Sequence, residues 1–254
     1  MKPRILTIDI ETRPHTVYAW GLHDQHVAIN QIVEPGVILC FAAKWHDERG
    51  VMFHSSEGGK ELRMLKAAHK LLTEADIVVG WNSDSFDLKW LNGQFVKHGL
   101  LPPEPYKKVD LLKTARAQFK VASNKLDYWA QYLGLGKKAD TGGFDLWRGC
   151  MDGDPKAWRT MERYNRQDVR LTEKVYDRLG SWIKNHPNMA LYTGTVCCPK
   201  CGGERLQRRQ AFHTTTRSYA KFQCVTRLPT GGICGAWFRS TLCEPGSLKL
   251  TAVA

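Results

Sequence analysis

No run of 18 consecutive apolar residues occurs in the 254-residue chain, whereas a helix that crosses a bilayer needs about 20. A membrane-spanning helix is therefore excluded, and no membrane is expected among the partners. An apolar leader is missing too. Met1-Lys2-Pro3-Arg4 passes straight into an apparent strand without a separate apolar segment or cleavage site, so the expected location is cytoplasmic. Internal repeats and low-complexity tracts are absent, which leaves ordinary globular domains. Acidic residues are scarce, 25 Asp and Glu against 37 Lys and Arg, for a formal charge of +12.

What is present supports a folded α/β protein. The hydrophobic fraction is 43% with nine Trp, enough for a real core. The length suits one domain of ordinary size plus a small appendage. The charge is uneven. From Cys197 onward nine Lys and Arg face two Asp and Glu, a net of +7, whereas the preceding residues carry 28 basic and 23 acidic groups, a net of +5. A basic tail suits a polyanionic partner, nucleic acid first. Five of the eight cysteines (Cys197, Cys198, Cys201, Cys224 and Cys234) fall within a short window of the same tail. In an intracellular chain such clustering favours metal over disulfides.

Residues Arg4–Ile10, Val37–Trp45 and Val51–Ser55 read as strands, separated by Glu34-Pro35-Gly36 and Glu48-Arg49-Gly50 turns. An amphipathic helix is expected over Gly59–Ala75, a strand over Ile77–Trp81 and a helix over Phe86–His98. A fifth strand is expected at Val109–Leu112, and helices from there to Asn185, broken at Gly134–Gly143 and Gly153-Asp154-Pro155. Three strands followed by alternating helix and strand indicate a mixed sheet flanked by helices. The expected domains are residues 1–185, a linker at 186–196 and a basic module at 197–254.

Four carboxylates stand out. In the strand Ile8-Asp9-Ile10-Glu11 side chains alternate, so Asp9 and Glu11 share one face while Leu6, Ile8 and Ile10 share the other. Paired carboxylates repel unless a cation lies between them, and hard divalent ions prefer such oxygens. Asp87 lies at the C-terminal end of an apolar strand, where α/β folds place chemistry, although an Asp in a first helical turn also complements the dipole. Met161, Tyr164, Leu171, Val175, Leu179 and Trp182 trace a helical seam that contains Asp168. A carboxylate there needs a metal or a buried salt bridge to an Arg.

Asp-x-Glu on a first strand, Asn-x-x-x-Phe-Asp after a later strand (Asn82 to Asp87) and Tyr-x-x-x-Asp on a late helix (Tyr164 to Asp168) together resemble the DEDD superfamily of 3′→5′ exonucleases, with Tyr164 pointing to the DEDDy branch. The likeness covers about Arg4 to Trp182. Lys125-Leu126-Asp127-Tyr128-Trp129 and Tyr164-Asn165-Arg166-Gln167-Asp168-Val169 are similar to the proofreading domains of family B DNA polymerases. Trp20-Gly21-Leu22-His23-Asp24-Gln25 resembles free-standing phage and bacterial members.

This resemblance implies a ribonuclease H-like fold and two Mg²⁺ or Mn²⁺ ions. Asp9, Glu11 and Asp168 would hold the ion that activates water, Asp9 and Asp87 the other, and Tyr164 would orient the water. The implied substrate is a single-stranded or frayed DNA 3′ end, cut to nucleoside 5′-monophosphates. The cell would be bacterial or phage-infected, with a replicative polymerase or another replication protein as a possible partner. An exoribonuclease and an inactive nucleic-acid adaptor are the alternatives. Asn82 is expected to order the metal-site loop or serve as a turn residue. Tyr18 and Trp20 are candidates for stacking on a terminal base, with core packing the commoner role. Lys137 and Lys138 read as a solvated pair able to meet phosphate, and Asp110 receives no role.

Cys198-Pro199-Lys200-Cys201-Gly202-Gly203 resembles the first knuckle of a zinc ribbon. Cys224 and Cys234 would complete a structural Cys₄ site for one Zn²⁺ if the intervening residues loop out. Cys197 or His213 could instead serve in an incomplete site. Arg205, Arg208, Arg209, Arg217 and Lys221 interleave with Phe212, Tyr219 and Phe222. That mixture suits nucleic acid, with Arg208 and Arg209 as candidate contacts. A protein-docking face is the alternative.

Overall fold

Leu6, Ile8 and Ile10 share one face of the first strand, and burying that face organises the larger part of the fold. The computed structural model describes residues 2–46, 48–229 and 231–243. Residues 244–254 of the expected C-terminal module lie outside it. The elements begin with β1 (Ile5–Thr12), a small hairpin of β2 (Thr16–Val17) and β3 (Ile32–Glu34), then β4 (Ile38–Trp45) and β5 (Met52–Ser55). Helix α1 (Glu61–Thr73), β6 (Ile77–Gly80), α2 (Asp87–Lys97) and β7 (Lys107–Asp110) follow. Four helices come next: α3 (Leu111–Gln118), α4 (Leu126–Tyr132), α5 (Asp145–Met151) and α6 (Pro155–Leu179). A short α7 (Met189–Thr193) precedes β8 (Leu206–His213), β9 (Ser218–Cys224) and β10 (Trp237–Cys243).

These elements divide into two compact units. One comprises Arg4–Lys113 and Val121–Glu173; the other gathers residues 2–3, Thr114–Lys120 and the chain from Lys174 onward. In the first, the sheet order is β5-β4-β1-β6-β7. β1, β4 and β5 pair antiparallel, whereas β6 and β7 continue parallel to β1. Connections without a helical crossover permit the antiparallel pairs; α1 and α2 are the crossovers that return β6 and β7 parallel. α1 buries Met64, Leu65, Ala68, Leu71 and Leu72, one stripe at helical spacing. With Leu91 and Phe95 of α2, that stripe covers Leu6, Ile8 and Ile10 of β1 and Phe41 of β4. On the opposite face Leu39 and Cys40 of β4 meet Leu146 of α5 and Met161 and Tyr164 of α6. The expected mixed sheet between helices is what forms.

Three local readings change. The fifth strand stops at Asp110, two residues short of its expected end, because the Asp110 carboxylate accepts the Leu112 N–H at 3.0 Å and so starts α3. α7 occupies the segment read as a linker: the Asn188 side chain accepts the Ala190 N–H, and Gly194 ends the helix at φ 68°. The late seam runs only to Leu179, and Trp182 is 56% exposed.

In the second unit β10, β9 and β8 form an antiparallel sheet. Phe222 stacks on Phe238, and the Arg239 guanidinium lies 3.8 Å from the Tyr219 ring centre. No helix among the described residues is long and apolar enough to cross a membrane.

Leu72 is fully buried in the α1 stripe, so Leu72→Ala should cost about 2–5 kcal/mol of unfolding free energy. Urea denaturation measures this. A loss within experimental error would contradict α1 as the lid of this core.

Candidate active site

Asp9 and Glu11 project from the face of β1 opposite Leu6, Ile8 and Ile10, toward the helix that carries Asp168. The partners across the ladder are small, Ala42 beside Asp9 and Cys40 beside Glu11, which leaves room for carboxylates and for α6. One oxygen from each of Asp9, Glu11 and Asp168 lies within 4.8 Å of the others. Asp168 is fully buried, and Asp9 and Glu11 are partly exposed. Asp87 stands next to this group rather than in it. Its Oδ1 accepts the Ile10 N–H at 2.9 Å, which ties the start of α2 to β1 between the two strand carboxylates.

The surroundings fix each acid. Asn165, also fully buried on α6, donates through Nδ2 to Asp9 Oδ2 at 2.6 Å and to the Asp9 carbonyl at 3.2 Å. Lys138 Nζ donates to Asp168 Oδ2 at 2.5 Å and to the Tyr164 hydroxyl at 3.1 Å. The Lys138 backbone N–H is held by Asp127 Oδ1 at 2.7 Å. Tyr164 lies one helical turn before Asp168, edge-on to Trp147 with ring centres 6.0 Å apart. Asp110 accepts from the backbone N–H groups of Asn82 and Asp84 and so orders the loop after β6. Asn82 is left-handed there, at φ 67°, a conformation that Asn tolerates better than most residues. Gly80 is required just before it, because a Cβ would stand 2.5 Å from the Ser83 Cβ.

Two readings from sequence therefore change, and one residue is added. Lys138 is no solvated phosphate contact; it bridges Asp168 and Tyr164. The buried salt bridge weighed for Asp168 exists, with this Lys in place of an Arg. Asn165 belongs to the motif around Tyr164 and Asp168 but has no role from sequence, although it lies on the α6 seam, four residues after Met161, where a polar side chain must find a partner. Tyr18 and Trp20 do not pack in the core: they are 75% and 98% exposed.

Electrostatics sets the chemistry of the cluster. Burial, then the charges of Asp87, Glu11 and Asp168, push the Asp9 carboxyl well above its ordinary range. Burial and Asp168 push Glu11 up to about 8. Asp87 rises to about 7, chiefly through burial, against the opposing Ile10 hydrogen bond. Asp168 is also raised by burial, although Lys138 opposes the shift. Burial and the Asp168 charge raise the Tyr164 phenol above its ordinary value, so it keeps its proton at neutral pH. Asp168 Oδ1 is buried with no hydrogen-bond partner among the described residues. All-oxygen donors, mutual repulsion and an unsatisfied buried oxygen together fit a hard divalent cation.

In the second unit Cys198, Cys201, Cys224 and Cys234 offer sulfurs all within 4.8 Å of one another. The Cys198–Cys234 separation is 3.9 Å and the Cys201–Cys224 separation 3.7 Å. A tetrahedral zinc site with Zn–S bonds of about 2.3 Å places its sulfurs ~3.8 Å apart, so the cluster has the size and chemistry for Zn²⁺. Hydrogen bonds from Cys201 and Cys234 pull the Cys198 thiol down to about 2. Cys197 lies outside the group and meets Thr193 Oγ1 at 3.4 Å. His213 is not a member either. Arg208 and Arg209 are exposed on β8, and Arg209 donates to Gln223 at 2.8 Å.

Two predictions follow from the clusters. The folded state binds more protons than the unfolded chain wherever acid pKa values are raised. That contribution is fully present below about 4, the unfolded value, and is lost as pH rises through about 7 and 8. In magnesium-free buffer the melting temperature of the first unit should fall from pH 5 to pH 8.5. Added Mg²⁺ should restore it at the alkaline end and do little at pH 5. A flat profile, or one that rises with pH, would contradict the repulsion. Metal analysis should also return one zinc per chain and none after the combined substitutions Cys201→Ser and Cys234→Ser. Zinc-free wild-type protein would rule out the thiolate site.

Comparisons with known proteins agree with this geometry. The family B DNA polymerase from the hyperthermophilic archaeon Pyrobaculum calidifontis has a similar fold, with a TM-score of 0.55 and 21% identity over 70% of this chain and 25% of that one. The chain thus spans about a quarter of that polymerase's length. No curated protein matches it. A model of the RNase_H superfamily matches residues 6–180, which take in β1 with Asp9 and Glu11, the start of α2 with Asp87, and α6 with Asp168. The chain belongs to the ribonuclease H superfamily.

Proposed function

We propose that the chain is a metal-dependent 3′→5′ exonuclease that releases nucleoside 5′-monophosphates from a single-stranded or frayed DNA end. The observation that carries this reading is the convergence of Asp9, Glu11 and Asp168, from two elements distant in sequence, to within 4.8 Å of one another, with Asp168 Oδ1 buried and without a hydrogen-bond partner among the described residues. Asp87 beside Asp9 and Tyr164 one turn before Asp168 complete the set expected of a DEDDy nuclease. The fold likeness to a DNA polymerase favours DNA over RNA as the first substrate to test.

Each side chain has a task in this reading. Asp9, Glu11, Asp87 and Asp168 would hold two Mg²⁺ or Mn²⁺ ions. When bound, such ions supply a water acidic enough to attack at neutral pH and stabilise the departing 3′ oxygen. Asn165 fixes the Asp9 carboxylate through the 2.6 Å contact, so that one oxygen is already oriented. The Ile10 N–H does the same for Asp87. Tyr164, protonated at neutral pH, donates or accepts a hydrogen bond and acts as a positioning group rather than a base. Lys138 holds both the Tyr164 hydroxyl and Asp168, and so sets the distance between the water-orienting phenol and its neighbouring carboxylate. Trp20, almost wholly exposed, is available to stack on a base. In a cell the enzyme would proofread for a separate replication polymerase or trim ends, as in phage or bacterial replication and repair.

The test uses 5′-labelled single-stranded DNA, duplex DNA and RNA with Mg²⁺. A ladder that shortens from the 3′ end is expected, with DNA cut faster than RNA. Asp9→Asn and Asp168→Asn should each lower the rate by about a thousandfold, the scale on which one preorganised electrostatic contact acts. Tyr164→Phe should retain measurable activity. Binding without cleavage would replace the nuclease with an adaptor, preference for RNA would reassign the substrate, and cleavage of circular DNA would indicate an endonuclease.

A further inference from the structure

Within the second unit, the turn that follows α6 and the loop that leads into β10 line a cleft of about 620 Å³, inside the roughly 300–1,000 Å³ typical of small-ligand clefts. Trp182 and Trp237, each 56% exposed, both line it. Trp182 meets the Phe119 ring edge-on, with ring centres 5.4 Å apart, and both indoles stay half-exposed although Trp is highly buried on average. Arg178, exposed at the end of α6, contributes a guanidinium. Lys221 does not line the cleft but brings a second cation near it, its Nζ 5.6 Å from the Trp237 ring centre. Gly231 and Gly232, at φ 86° and 79°, present backbone without side chains. They are held by hydrogen bonds between Leu228 and this turn of 3.0 and 3.1 Å. Among the described residues, no acidic one lines the cleft.

Flat apolar faces, positive charge and side-chain-free backbone together match a ligand that is planar and anionic. The rings supply stacking area that accepts any base, and the cations meet phosphate without reading sequence. An acidic protein segment would use the cations but leave the two indoles without flat partners. We propose that this cleft binds an unstacked nucleotide of single-stranded nucleic acid, with the base in contact with both Trp182 and Trp237 and a backbone phosphate at Arg178. The cleft shares no residue with the acidic cluster, and binding there does not depend on hydrolysis.

Fluorescence anisotropy of labelled oligodeoxythymidylate with the full chain, in magnesium-free buffer, tests the assignment over a range of salt concentrations. Trp182→Ala and Trp237→Ala should each weaken binding by about tenfold, a loss within the range of removing one stacked base. Neither should change the slope of log affinity against log salt, because an indole neutralises no phosphate. Arg178→Ala should reduce that slope by about 0.7, one phosphate contact on a single strand. Trp237→Phe should recover part of the loss. Zinc content and the melting curve of each variant report whether the unit is still folded. A folded Trp182→Ala/Trp237→Ala double variant that binds within twofold of the parent overturns the proposal. So does an equal loss of affinity for polyglutamate, which would mark an acidic-protein site. Exonuclease assays on the same variants are read separately, so a chain that binds but never hydrolyses would leave this assignment standing.

Discussion

Like charges brought together away from water are the constraint on which the first unit depends. β1 places Asp9 and Glu11 two residues apart on one face, and α6 lays a fully buried Asp168 against them. Desolvation raises all three, and repulsion within the group adds to it at Asp9 and at Glu11, which rises to about 8. One Lys meets only part of this demand. Lys138 occupies Asp168 Oδ2 and leaves Oδ1 buried and unpartnered. A folded chain gains nothing in stability from such an arrangement by itself, and removing one partner from a buried charge pair is costly. The cluster makes physical sense as a cation site, and the rest of the architecture serves to hold it.

That service explains features outside the cluster. The α1 and α2 face of the sheet is packed with Leu, Ile and Phe, so β1 is held rigidly from behind while its other face carries charge. Ala42 and Cys40 keep the neighbouring strand low where Asp9 and Glu11 stand. Asp110 ties down the loop that leads to Asp87, using the two backbone N–H groups of Asn82 and Asp84. Supporting contacts of this kind fix a site to within fractions of an ångström, which hydrolytic chemistry requires.

Much of this was legible from residues alone, and the reasons differ by feature. Strand alternation fixed the shared face of Asp9 and Glu11, and helical spacing put Asp168 in the core beside Tyr164. The order of strands and helices gave the mixed sheet. Cys198 and Cys201 announced a thiol cluster through spacing, and Cys224 and Cys234 joined it because the intervening glycines let the chain return. Other features were hidden for physical reasons. Lys138 approaches Asp168 from 30 residues away across a loop, and no local period reveals such a contact. Asn165 was detectable as a polar residue on an apolar seam but reads like any helical Asn. Tyr18 and Trp20 carry no pattern that separates a core ring from an exposed one, and their exposure is a tertiary outcome. α7 was masked by Pro187 and Gly194, although Asn188 and Gly194 are the residues that start and stop it.

The central claim, that Asp9, Glu11 and Asp168 form a cation site, is most directly tested by anomalous diffraction from a crystal soaked in Mn²⁺. The account predicts anomalous density ligated by these three carboxylates, with Lys138 Nζ displaced from Asp168. Carboxylates that stay empty at millimolar Mn²⁺, with the Lys138–Asp168 pair intact, would contradict it.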